Sequence, residues 1–550
     1  MWPRPSAFET TIVAKPLSKP PAGVLREDFA ERGDPLAVLA GGTKHAEDCV
    51  VEAWQELLSP AFPAGLALLA VGGFGRRELY PHSDVDLLLL VENEPSSQGL
   101  KDALSAFLRR LWDGGLRLSH SVRTPGECCE VHDRNIELNI SLLDERFLAG
   151  DHALYAELEA RLPRFLSAQR ATLARHLCRL TRTRHAKFGE TIYHLEPNVK
   201  ETPGGLRDFQ FVRWLSQLRN ARPQGRAPAD PLDSLRAAWL CLSQARCYLH
   251  FQARRDQNLL SFDAQEEISQ LPFVPERDAA AWMRSYYRHA RDIHSAATRR
   301  MEESESAGSS LLASFRNWRS RLSNAEFTVA RDRVYLRNPH RLDQNPEMVL
   351  RLFEFVARHG IQPAFDSVQR ISGLSPVLER YFSAPRPLWP LLETMLSLPH
   401  AALALESMSA CGVLKVLFPE WCGIDCLVVR DFYHRYTVDE HTLVSIQEIT
   451  RLPECSDPLR RRFAGLLSEV EKPGVLLFAL LFHDTGKAMG AAVHVRESAR
   501  LAESAMERIR APEGLRGRCR STAEHPPCPR CSTRTSPSSA TSWARPAVTP

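Results

Sequence analysis

The chain has 550 residues, 44% hydrophobic and 25% charged, an ordinary balance for a globular protein and enough length for several domains. A net charge of +4 is too small to mark a nucleic-acid binder, and residues 516–550, with six Arg and one Glu, hold the surplus and leave the body near neutral. The opening MWPRPSAFETTIVAKP lacks a leader's apolar segment, no apolar run is long enough to span a bilayer, and the 13 cysteines form no framework, so a reduced, cytoplasmic protein is expected.

Residues 1–60 begin Pro-rich and then read as a helical lead-in. The apolar run Leu66 to Val71 reads as a buried strand. Gly72-Gly73 opens a turn into a short basic segment, Phe74 to Leu79. A second strand, Val85 to Val91, carries Asp84 and Asp86 at its start. A period of two puts both carboxylates on one face, where they repel and are costly to bury. A divalent cation removes that cost, and oxygen ligands suit Mg²⁺, which completes its shell with water and phosphate oxygens. The glycines let backbone N–H groups approach phosphates without a Cβ in the way. Gly-Gly also occurs at Gly41-Gly42, Gly114-Gly115 and Gly204-Gly205, and Asp-x-Asp alone could be a solvated strand end. The specific signal is the whole order of strand, Gly-Gly, Arg-Arg-Glu, Ser-Asp-x-Asp and strand.

A helix is expected over Gln98 to Trp112, then strands over Leu116 to Val122 and Asn135 to Leu143. The last ends at Asp144-Glu145-Arg146, where Asp144 could cap the next helix. From about residue 160 the pattern is helical. Glu196 to Gln210, EPNVKETPGGLRDFQ, makes a loop from which Lys200, Arg207 and Asp208 project. It is either a solvated connection between helices or a phosphate-reaching segment. Leu259 to Glu267, Trp282 to Ala290 and Met408 to Pro419 read as packing features.

Two later stretches, DFYHRYTVDEHTL at 431–443 and LFALLFHDTGK at 477–487, set His441 apart from His483-Asp484 at a spacing that resembles the HD phosphohydrolase signature. Imidazoles and a carboxylate from packed helices can hold a divalent metal that lowers the pKa of a bound water. The dipeptide alone is no signal, since His132-Asp133 repeats it. What distinguishes the later pair is its place at the end of a buried apolar helix, where an unpaired His and Asp would be expensive. From about Arg518 periodicity is lost among Ser, Thr, Pro and Arg, so residues 516–550 are expected to be a disordered or out-of-frame tail. Cys528-x-x-Cys531, near Cys519 and His525, lacks an apolar element to fold around a metal.

GGFGRRELYPHSDVDLLLL and, more than a hundred residues on, EPNVKETPGGLRD together resemble the bacterial P-II uridylyltransferase/uridylyl-removing family. The likeness runs over about residues 60 to 500. It implies an α+β protein: a nucleotidyltransferase α/β domain at 61–155, a helical associated domain at 156–330, a helical connector at 331–420 and an incomplete all-α HD domain at 421–515. The implied reaction moves UMP from UTP to a tyrosine of the P-II signalling protein and releases pyrophosphate. Asp84, Asp86 and Asp144, with Glu145 as substitute for the third, would hold Mg²⁺. Gly72, Gly73, Ser83, Arg76, Lys200 and Arg207 would bind nucleotide. His441, His483, Asp484 and His494 would hold Mg²⁺ or Mn²⁺ for hydrolytic removal of UMP. The family's late metal ligand and its glutamine-sensing ACT domains have no counterpart in this sequence, so glutamine control is not expected, nor are membrane or nucleic-acid partners. Three other readings stand beside it: a glutamine synthetase adenylyltransferase-like enzyme, a tRNA CCA-adding enzyme, and a non-catalytic remnant that binds nucleotide or P-II.

Overall fold

A computed structural model describes residues 22–92, 98–131, 136–220, 232–308, 322–429, 435–490 and 493–524. The architecture is α+β, mostly helical with one small mixed sheet. It divides into two compact units, residues 1–309 and 310–550. That division falls earlier than the 330/331 boundary expected from the sequence. No described helix is long and apolar enough to cross a membrane.

In the first unit, helices α1 (Ala22–Arg32) and α2 (Pro35–Leu57) lead into strand β1 (Leu66–Ala70). A one-turn helix, α3 (Gly72–Gly75), joins β1 to β2 (Val85–Val91). Helix α4 (Gln98–Asp113) crosses to β3 (Leu118–Arg123), and α5 (Pro125–Cys128) and α6 (Ile136–Ser141) precede β4 (Arg146–Gly150). The strand order is β3-β2-β1-β4, with β1 antiparallel to both neighbours and β2 parallel to β3. Both faces of the sheet are covered, which is why β1 and β2 read as unbroken apolar runs. Leu68, Leu87 and Leu89 pack with Trp54 and Phe107 on one face. Ala67, Leu69, Leu88 and Leu90 pack with Leu154, Leu158 and Leu162 on the other. The second set shares strand parity with Asp86.

The strand expected over Asn135 to Leu143 is a helix, followed by a 3-10 turn at Leu142–Asp144, and the strand begins only at Arg146. Ile136, Leu138, Ile140 and Leu142 alternate as a strand would. Burial instead takes Ile136, Asn139 and Ile140, a helical spacing. Asn139, wholly buried, donates to Cys128 O at 2.9 Å and commits the segment to the turn.

Beyond the sheet lie α7 (His152–Lys187), α8 (Leu206–Asn220), α9 (Arg236–Ala253), α10 (Phe262–Ser269) and α11 (Ala279–Gly308). Helix α8 packs against α7, α9 and α11, and α9 also touches α2. The helical layer is thereby tied to the sheet's helices.

The second unit starts with a hairpin, β5 (Phe327–Ala330) and β6 (Arg333–Leu336), and is otherwise helical. Its core gathers Phe353, Trp389, Phe418, Phe478 and Phe482. The segment Pro473–Phe482 is buried on almost every side, as an all-apolar helix must be. The order that should fail near residues 516–518 persists as the helix Glu513–Glu524. Its inward positions, Cys519 and Ala523, are small and four apart, so they bury fully without an apolar pattern in the sequence. His525, Cys528, Cys531 and the rest of the tail lie outside the described residues, as do His132-Asp133 and residues 430–434.

Candidate active site

The turn after β1 is shaped around one carboxylate. Gly72 has φ +57, and a Cβ there would sit 2.9 Å from Asp86 Oδ2, so glycine is required twice over. Val71 N–H donates to Asp86 O at 3.1 Å and holds the two strand ends together. A Cβ at Gly73 would meet only ordinary contacts. Burial pushes the Asp86 carboxyl up to about 6, and the Asp84 charge adds to this. Arg76, Arg207 and Lys200 pull it back down. Asp84 is half exposed, with Arg117 Nε 3.0 Å from its Oδ1. Two carboxylates, one of them reluctant to ionise, form a donor set that fits a divalent cation.

Asp144 and Arg76, expected as metal ligand and nucleotide contact, are paired with each other. Three groups of described His, Cys, Asp and Glu side chains bring their ligand atoms within 4.8 Å of one another, and Asp84, Asp86 and Asp144 are not one of these groups. Asp144 Oδ2 instead accepts from Arg76 Nη1 at 2.6 Å and from Trp214 Nε1 at 2.7 Å, with no side-chain exposure. Arg76 Nε donates to Glu78 Oε2 at 2.8 Å, and Arg213 Nη1 donates to Glu78 Oε1 at 3.0 Å. Arg76 is therefore committed to two carboxylates and almost wholly buried, which takes it from the set of phosphate contacts. The network ties α8 to the turn that precedes β4, and Gln217 Nε2 completes it on Leu143 O at 3.1 Å. Glu145, the substitute, accepts from Tyr155 Oη at 3.3 Å on α7.

Glu196 to Gly205 is a tightly folded loop. Val199 N–H donates to Asn258 O at 2.8 Å, and Leu260 N–H donates to Pro197 O at 2.9 Å. Asn198 Oδ1 accepts from Lys200 N and Glu201 N. Gly204 has φ +77, and a Cβ there would lie 2.3 Å from Ala290 O on α11. At the loop's end Asp208, wholly buried, accepts from Gly204 N at 2.7 Å, from Arg184, and from His185 Nε2 at 2.9 Å. Burial alone would raise its carboxyl, but His185, His294 and Arg184 hold it well below its usual range. His185, Asp208 and His294 are one of the three close groups. Both Asp208 oxygens already carry strong donors, so this cluster reads as a staple for the loop.

Lys200, in this loop, and Arg207, at the start of α8, are near enough to Asp86 that both charges lower the pKa of its carboxyl. Burial, then the charges of Arg246 and Arg207, lower the pKa of Lys200. Arg246 is a participant that the sequence reading missed. Its Nε donates to Asn258 Oδ1 at 2.8 Å, its Nη2 lies 3.5 Å from Ser83 Oγ and 3.3 Å from Asp256, and its guanidinium lies 4.1 Å over the Tyr80 ring. His250, one turn on, lies 3.0 Å from Asp256 and accepts from His82 N at 3.2 Å. The signal was present: Arg246 and His250 stand four apart in α9 among buried apolar residues such as Leu242, Leu249 and Phe251 and are both buried. The Asp84/Asp86 pair thus sits at the Gly72 turn within reach of the Lys200 and Arg207 charges, with Arg246 beside Ser83.

In the second unit, His441, His483 and Asp484 form another of the close groups. His483 Nε2 lies 3.2 Å from Asp484 Oδ2, and its Nδ1 lies 2.7 Å from Leu480 O, which fixes the ring. Lys487 Nζ lies 2.8 Å from Asp484 Oδ2. Burial would raise the Asp484 carboxyl, but His483 and Lys487 hold it far below its usual range. Two imidazoles and a carboxylate suit a divalent metal. His494 is not in the group. It opens the helix His494–Arg508, and its carbonyl packs where a Cβ on Gly486 would come within 2.2 Å.

An α+β unit with a paired-carboxylate turn, followed by a helical unit with a His-His-Asp cluster, defines a class that comparison with known proteins makes specific. Residues 171–300 match the family model described as GlnD PII-uridylyltransferase. The chain is 31% identical over 466 residues to a bifunctional uridylyltransferase/uridylyl-removing enzyme of Burkholderia pseudomallei strain K96243, covering 82% of this chain and 53% of that protein. A protein of the same name from Burkholderia mallei strain SAVP1 is 30% identical over 475 residues, with the same coverage. The chain is a GlnD-like protein. It spans about half the length of the curated relatives it matches.

Proposed function

We propose that the Asp86 site transfers UMP from UTP to a tyrosine hydroxyl of a P-II protein in the cytoplasm. The observation that supports this reading is that the Asp86 carboxylate lies against the Gly72 turn, where the charges of Asp84, Lys200 and Arg207 all reach it. Asp84 and Asp86 would hold Mg²⁺, which supplies charge stabilisation at the α-phosphate and the leaving pyrophosphate. Lys200 and Arg207 bind the β- and γ-phosphates, and their fixed loop orients the chain of phosphates for in-line attack. Arg246 holds Ser83 and the Tyr80 to Ser83 segment in place. The hydroxyl attacks the α-phosphorus, the bond to the bridging oxygen breaks, and pyrophosphate leaves with that electron pair.

The test is label transfer from [α-³²P]UTP to purified P-II with Mg²⁺, beside [α-³²P]ATP and an Asp86→Asn variant. Label from UTP that is absent in the variant supports the reading. Label from ATP alone points to the adenylyltransferase reading, and no label from either with folded protein points to a binding role. The close grouping of His441, His483 and Asp484 favours a second activity, hydrolysis of UMP from the modified partner. Release of UMP that persists in Asp86→Asn and stops in Asp484→Asn would establish it. Release unaffected by Asp484→Asn would reject it.

A further inference from the structure

We propose that Arg117 is a built-in counter-cation that competes with divalent metal for Asp84 and so sets the metal affinity of the transfer site. The inference rests on the reading of Asp84 and Asp86 as metal ligands. The parallel register of β2 and β3 sets Val85 beside Leu118, and Val85 N–H donates to Arg117 O at 2.7 Å. The backbone therefore holds Arg117 alongside Asp84. Its Nε lies 3.0 Å from Asp84 Oδ1, and both side chains are about half exposed, so the guanidinium has room to swing away.

The two carboxylates are treated unequally. Among the described residues Asp84 has a direct guanidinium partner, whereas Asp86 has no direct ion pair and lies against Gly72. A divalent cation bridging the pair would come within a few ångströms of the guanidinium, and like charges at that separation repel. Metal entry therefore displaces Arg117 from Asp84.

The experiment measures Mn²⁺ binding by electron paramagnetic resonance on the full chain, with His483→Ala throughout to disable the second cluster. Arg117→Gln should bind Mn²⁺ about tenfold more tightly at low salt, and the gain should shrink as salt screens the repulsion. In an Asp84→Asn background Arg117→Gln should have no effect. Equal affinity with and without Arg117, while Asp86→Asn still weakens binding, would overturn the competition and leave the metal clamp standing. Weaker Mn²⁺ binding in Arg117→Gln would also overturn it, making Arg117 an organiser of the site. Mn²⁺ binding indifferent to both Asp84 and Asp86 would remove the metal clamp, and this inference with it. Circular dichroism checks that each variant is folded. Arg117 is exposed enough that its replacement should not disturb the core.

Discussion

Asp144→Asn separates two roles that predict opposite signs. In the structure Asp144 is a wholly buried counter-charge to Arg76, with Trp214 on the same oxygen. The substitution keeps the shape and one carbonyl acceptor but leaves the Arg76 guanidinium with Glu78 as its one remaining close anion. Removing one partner of a buried pair costs about 3–5 kcal/mol, and the surviving Glu78 contact should hold the loss near ~3 kcal/mol. For a unit of this size that corresponds to a fall in melting temperature of roughly 5–10 °C. Metal affinity should fall only modestly. A metal ligand would behave the other way: without metal, neutralising one of three crowded carboxylates would relieve repulsion and raise the melting temperature, while Mn²⁺ binding would drop by roughly tenfold or more. The assay is thermal unfolding by circular dichroism in EDTA, beside Mn²⁺ titration of the same sample. A stability that is unchanged or raised, together with lost metal binding, would refute the anchoring role.

Gly72→Ala, whose new methyl would crowd Asp86 Oδ2 in a left-handed backbone, should cost about 1–2 kcal/mol and lower UMP transfer, as read by melting temperature and label incorporation. Lys200→Ala and Arg207→Ala should each raise the KM for UTP about tenfold or more, with melting temperatures near wild type. Unchanged nucleotide affinity would remove them from the phosphate contacts. Arg246→Lys should fail to replace arginine, because the planar group bonds Asn258, faces Asp256 and covers Tyr80 at once; recovery of activity by lysine would show that charge alone suffices. His483→Ala should release a bound divalent metal from the second unit and leave label transfer to P-II intact, as measured by metal analysis and by the transfer assay.

The strand pair and its acidic start were legible because burial on both faces leaves an unbroken apolar run, and the hairpin's two ends lie close in sequence. The EPNVKETPGGLRD loop was legible as a loop but not as a rigid one. Its staples lie outside it, Arg184 and His185 on the preceding helix α7 and Ala290 far on in α11. The role of Asp144 was hidden for the same reason. Its partner Trp214 is 70 positions away, and nothing around Asp144 distinguishes a ligand from an anchor. Ile136 to Leu142 misled because four alternating apolar residues fit a strand and a short helix equally well. The helix Glu513–Glu524 escaped notice because small residues fill its buried side. Arg246 was the avoidable miss, a charge among the apolar residues of the buried face of α9 with a histidine one turn on.

Helix α8 acts as a ruler. Arg207, in its first turn, lies near enough to Asp86 to lower the pKa of its carboxyl, and Trp214, seven residues on, grips the turn at Asp144. Seven residues of α-helix are about two turns and ~10.5 Å of rise, so both side chains fall on nearly the same face. The distance from Arg207 to the anchor at Asp144 is thus written as a residue count. One residue inserted between Arg207 and Trp214 would rotate one by about 100° relative to the other and leave the sequence of every other element untouched. Length variation in this protein should therefore be tolerated in surface connections and forbidden inside those two turns.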